Sequence, residues 1–161
     1  QLGNTPLLKR VLRNTGNLHH ALGNHRATIS CYERLLQIAR DQMDVRVTSK
    51  ILRNLSNACY MVEDYGRAID YSQQRLTLVQ QMGDLKAQEE VLESLCIGYD
   101  ASGKPVEVLR CQEERLQICI ALEDTELQRQ ALSNFKTACL AVGDFDRLLQ
   151  YAPLIAQLST H

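Results

Sequence analysis

Asn54-Leu55-Ser56-Asn57-Ala58-Cys59-Tyr60-Met61-Val62-Glu63-Asp64-Tyr65-Gly66-Arg67-Ala68-Ile69-Asp70-Tyr71 is the stretch that decides the fold. Leading into it, Val47, Ile51, Leu52, Leu55, Ala58, Cys59 and Val62 recur at the spacing of one helix face. Leading out of it, Tyr65, Ala68, Ile69, Leu76 and Val79 do the same after a short break. The segment is two amphipathic helices joined by a turn. Sliding the chain by about 40 residues, roughly the length of one such hairpin, brings Leu12, Leu52, Leu92 and Leu132 into register without a gap. The same shift aligns Ile29, Ile69, Leu109 and Leu149, and also Ile38, Leu78, Ile118 and Leu158. Four copies account for nearly the whole chain, with repeats near 5–44, 45–84, 85–124 and 125–161.

The punctuation agrees with that reading. Gly23, Gly103 and Gly143 share a register where a helix ends in a left-handed residue. Asn24, Asp64 and Asp144 follow as N-caps of the next helix, and Asn4, Asp44, Asp84 and Asp124 stand where each copy begins. Pro105 suits a first helical turn. The pattern predicts eight helices near 5–22, 25–41, 45–62, 65–81, 85–102, 105–122, 125–142 and 145–158. Two positions break the rule. Glu63 replaces glycine, which predicts a different cap or a right-handed residue there, and Pro153 predicts a kink or restart near Ala152.

Composition narrows the function classes. The 161 residues carry 19 acidic and 18 basic side chains, a formal charge of −1, which argues against a general nucleic-acid or membrane-surface binder. Apolar residues make up 45% and charged residues 23%, too apolar for disorder, and no apolar run is long enough to span a membrane. With 3 Pro and 8 Gly, an all-β fold is disfavoured. The start, Gln1-Leu2-Gly3-Asn4, is no signal peptide and lacks Met, so the chain reads as a segment excised from a longer protein. Leu2-Gly3-Asn4 aligns with Met82-Gly83-Asp84, which implies a preceding repeat.

Helical hairpins of this period, with small residues at the crossing and an aromatic after the turn, resemble the tetratricopeptide repeat. The match rests on Asn54 to Tyr60, Asp64 to Tyr71 and Gln74-Arg75-Leu76, with Gly143-Asp144-Phe145-Asp146 in the fourth copy. The long repeat is similar to those of kinesin light chain and of the Leu-Gly-Asn (Pins-type) adaptors. Thr15-Gly16-Asn17 and Leu55-Ser56-Asn57 keep only part of the Leu-Gly-Asn run, and His25 and Pro105 stand where Tyr65 and Phe145 are aromatic. HEAT-type repeats are the alternative at this period. The resemblance implies an all-α, right-handed α-solenoid forming one domain over 1–161. It further implies a concave groove lined by the first helix of each copy.

Carried onto this chain, the groove register contains Arg10, Arg13, Asn14, Asn17 and His20 in the first copy. The second copy contributes Lys50, Arg53, Asn54, Asn57 and Tyr60. The third turns acidic with Glu90, Glu93 and Asp100, beside Ser94 and Ile97. The fourth is uncharged: Gln130, Ser133, Asn134, Thr137 and Leu140. Arginine forks engage carboxylates and asparagine amides both donate to and accept from a peptide backbone, so the expected ligand is an extended peptide or helix, acidic at one end. Arg75 and Arg115 lie on second helices and are expected to pair with Asp70 or Glu114, their stems packed and their heads wet.

No catalytic constellation stands out. His19, His20 and His25 lack an acidic partner at helical spacing, and no CxxC pair occurs among Cys31, Cys59, Cys96, Cys111, Cys119 and Cys139. Cys31, Cys59, Cys111 and Cys139 fall in registers that carry tyrosine elsewhere, and are expected to be buried, reduced thiols. The expectation is a non-catalytic cytoplasmic adaptor or scaffold with a protein or peptide partner. No cofactor, metal, nucleic acid or membrane insertion enters this reading. The competing reading is an architectural solenoid that makes its contacts through outer faces.

Overall fold

The computed structural model describes residues 4–159. Leu2, Gly3 and His161, which entered the repeat and histidine readings, lie outside the described residues. The helices run α1 Thr5–Ala21, α2 His25–Asp41, α3 Val45–Met61, α4 Tyr65–Gln81, α5 Leu85–Ala101, α6 Pro105–Ala121, α7 Thr125–Val142, α8 Phe145–Gln150 and α9 Ala152–Ser159. No strand occurs among the described residues. The restart at Ala152 is the expected effect of Pro153: the chain turns through Tyr151, whose N–H donates to the Leu148 carbonyl three residues back.

The caps are those the sequence indicates. Asn24, Asp44, Asp64, Asp84, Asp124 and Asp144 each accept from a backbone N–H two or three residues on. Asn4 caps α1 without a side-chain bond, and Pro105 opens α6. Gly23, Gly83, Gly103 and Gly143 take left-handed backbone, with φ between 66° and 75°.

Glu63 overturns its expectation. It keeps the left-handed conformation, with φ 59°, and Met43 and Glu123 do the same at 55° and 57°. The turn is over-determined: the Glu63 N–H donates to the Tyr60 carbonyl, the Asp64 N–H reaches the Cys59 carbonyl at 2.9 Å, and the Asp64 carboxylate caps α4. These bonds hold the residue in a region that costs a side chain about 1–2 kcal/mol. Glu63→Gly should therefore stabilise the protein by about 0.5–1 kcal/mol, read as a higher denaturant midpoint at unchanged slope.

The chain divides into two compact units, Gln1–Leu78 and Val79–His161. In the first, α1 packs on α2 and α2 on α3, around Leu12, Ile29, Leu35, Leu52, Leu55 and Cys59. Small residues allow the close crossings. The Ser56 hydroxyl donates to the Ala68 carbonyl at 3.0 Å and lies 2.6 Å from the Ser72 hydroxyl. In the second unit α5 packs on α6 and α6 on α7, around Leu109, Leu116, Cys119, Leu132, Phe135 and Cys139.

One polar motif is used in both units at a shift of two copies. The Tyr71 hydroxyl donates to Glu33 at 2.8 Å and Arg67 pairs with the same carboxylate at 3.1 Å. In the second unit Tyr151 donates to Glu113 at 3.1 Å and Arg147 pairs with it at 3.3 Å. Burial and the adjoining carboxylate push the Tyr71 hydroxyl above its ordinary range.

Candidate partner-binding face

The first helices bury one face and expose the other, as their apolar spacing requires. On α1, Arg10, Arg13, Asn14, Asn17 and His20 are exposed; on α3, Lys50, Arg53 and Asn57 are exposed, and Asn54 and Tyr60 are half-buried beside them. Arg10, Arg13, Lys50 and Arg53 make no ion pair among the described residues. The first unit therefore presents four unneutralised cations on its two first helices.

Two of the asparagines are held from beneath. Tyr32 is buried on α2, its ring close against Gly16, where an added Cβ would come within 3.4 Å. Its hydroxyl donates to the Asn17 Oδ1 and is also hydrogen-bonded by the Asn54 amide. Tyr32 escaped the sequence reading. Its one signal is Gly16, the residue on α1 small enough to admit a ring.

In the second unit Glu90, Glu93, Asp100, Ile97, Gln130, Ser133, Thr137 and Leu140 are exposed on α5 and α7, with Ser94 and Asn134 half-buried. Arg115 corrects the expectation of a wet head group. It is 3% exposed and reaches back to α5, where it bonds the buried Glu89 at 2.6 Å and Glu93 at 3.1 Å, neither of them the expected Glu114. Arg75 is buried as well. Glu93, expected as a free groove acid, is thus tied to the helix behind it. A cavity of about 320 Å³ lies between α5, α6 and α7 with Glu93 and Arg115 in its wall.

Among the described residues the histidines and cysteines are dispersed. His20 is exposed and meets the His25 ring edge-on at 6.0 Å. Five cysteines are buried; Cys31 departs from expectation in being half-buried beside Gly16. Burial pushes the Cys59 and Cys119 thiols up to about 11, which keeps them protonated and poor nucleophiles. Among the described residues no three His, Cys, Asp or Glu side chains are grouped to hold a metal, and no helix is long and apolar enough to cross a membrane.

The sequence profile of the tetratricopeptide repeat family matches residues 7–81. The 43 kDa receptor-associated protein of the synapse from Gallus gallus is 23% identical over 138 residues, 84% of this chain and 34% of its own length. The chain thus spans about a third of that curated relative. Among solved structures, BtubC (BKLC) from P. vanneervenii has a TM-score of 0.72 at 18% identity, covering 97% of this chain and 65% of that one. A signal transduction ATPase with a tetratricopeptide repeat sensor from Pyrococcus horikoshii also gives 0.72, at 16% identity, over 89% of this chain and 22% of that one. Proteins built on this repeat generally mediate protein–protein interactions and are generally non-enzymatic scaffolds. Residues 7–81 thus match the tetratricopeptide repeat family, and the chain shares the fold of these solved repeat structures.

Proposed function

We propose that the protein is a non-catalytic adaptor that holds an extended peptide segment, acidic at one end, against the exposed groove-register face of α1 and α3. The observation that carries this reading is the set of four unpaired cations, Arg10, Arg13, Lys50 and Arg53, flanking asparagines that Tyr32 fixes from below. Carboxylates of the peptide meet the guanidinium forks, and the Asn14, Asn17, Asn54 and Asn57 amides bond its backbone. The exposed face of α5, with Glu90, Glu93 and Asp100, favours a neutral or basic segment instead.

Each exposed ion pair contributes about 0.2–1 kcal/mol, so reversing two cations removes two attractions and adds two repulsions. Arg13→Glu combined with Arg53→Glu should weaken a 14-residue probe peptide with four glutamates at one end by about 1.5–3 kcal/mol, roughly ten- to a hundredfold. Calorimetric titration at low salt reads the change, with circular dichroism to confirm equal helix content. The control pair Arg26→Glu and Arg34→Glu, on α2, should leave affinity within about twofold. Undiminished binding by the first pair would favour the architectural reading.

A further inference from the structure

The cavity between α5, α6 and α7 lies where one side chain is exchanged between copies. In the first unit Tyr32 occupies the register from which a second helix reaches toward the first-helix face, and its phenol bridges Asn17 and Asn54. Two copies on, that register holds Gln112. The shorter side chain does not fill the space, and Gln112 forms part of the wall of the 320 Å³ cavity together with Asn134, the counterpart of Asn54. Gln112 is 8% exposed, yet its Oε1 is buried with no hydrogen-bond partner. A buried amide oxygen without a donor is destabilising, and a donor entering the cavity would relieve it. The terminal torsion of glutamine is soft, so the amide can turn to meet a donor.

The rest of the wall defines the donor. Asp100 has no ion-pair partner among the described residues, and Glu93 remains half-exposed although Arg115 holds it. Arg115 is neutralised by Glu89, so the cavity surroundings are net negative. Ile97, 58% exposed at the rim, and Ala138 and Ala141 supply an apolar track. We propose that this cavity is a socket for a single arginine side chain of a protein partner: the stem lies on Ile97, Ala138 and Ala141, and the planar fork donates to the Asp100 carboxylate and the Gln112 Oε1. The fork takes the volume that the Tyr32 phenol fills in the first unit. The socket rests on reading the first-helix faces as the contact surface, and adds the one side chain that the acidic face selects.

The test uses the whole chain and small probes. N-acetyl-arginine-N-methylamide is titrated against its citrulline, lysine and norleucine counterparts while amide and methyl shifts are followed by NMR. The arginine probe should bind saturably, on the order of millimolar, about tenfold tighter than the uncharged citrulline isostere, and shift Ile97, Thr137, Ala138 and Ala141. The lysine probe should bind more weakly than arginine, lacking the planar fork. Asp100→Asn should bring arginine down to the citrulline level. Gln112→Leu, which removes an unsatisfied acceptor, should fold at least as well and still lose several-fold in affinity. Equal binding of citrulline, tighter binding of lysine, shifts confined to other helices or an unaffected Asp100→Asn variant would each overturn the socket. None of these outcomes touches acidic-peptide binding at Arg13 and Arg53, so the two readings fail separately.

Discussion

Arg115→Met should destabilise the protein by about 3–5 kcal/mol, although arginine is on average a surface residue and this one replaces Leu35 of the first copy. The cost comes from what is left behind. The Glu89 carboxylate sits at 2.6 Å from the guanidinium with its side chain 10% exposed, and without Arg115 it is a buried, uncompensated charge. Glu93 contributes little, because its side chain is half in water. The origin of the loss separates in a double-mutant cycle. Replacing both members, Glu89→Leu with Arg115→Met, should recover most of the stability, since a buried pair contributes little beyond well-packed apolar groups of the same volume. If the double variant is as unstable as the single one, the pair is not the cause and the packing of the arginine stem is.

Phe135→Ala should cost a similar 3–5 kcal/mol for a different reason. Phe135 has no exposed surface and lies on α7 at the centre of the cluster formed by Leu109, Leu116, Leu132 and Cys139. Its ring meets Tyr151 edge-on at 4.7 Å between centroids, at the point where Pro153 has broken the last helix. Truncation removes the transfer energy of the ring, leaves a cavity, and withdraws the packing that holds Tyr151 toward Glu113. Equilibrium denaturation should show the loss. Phe135→Leu, the residue that Leu55 and Leu95 place in this column, should lose much less.

What the sequence made legible was local. Helix limits agreed to within a residue or two because caps, glycines and apolar spacing act over three or four residues. Glu63 was misjudged because a left-handed residue followed by Asp is held by backbone bonds that do not depend on its side chain. Contacts between helices were harder to read. Arg115 was assigned its chain neighbour Glu114, whereas its partners lie 26 and 22 positions back on α5. The Glu33, Arg67 and Tyr71 motif recurs at twice the period as Glu113, Arg147 and Tyr151, but a single shift of the repeat puts Gln73, Glu107 and Cys111 in those columns and hides it. The candidate face itself came from the repeat register. The structure finds most of its polar residues exposed, and adds the Tyr32 bridge and the Gln112 cavity, which depend on side-chain volume across a helix crossing.

On the proposed function, a partner segment lies on the first-helix face of the first unit and not on its second helices. Amide-shift mapping during titration with the glutamate-ended probe peptide tests it most directly. Saturable shifts are expected at Arg10, Arg13, Asn17, Lys50, Arg53 and Asn57 on α1 and α3, fading as salt is raised. Shifts concentrated on the exposed residues of α2 and α4, or a peptide that leaves α1 and α3 unmoved, would contradict it.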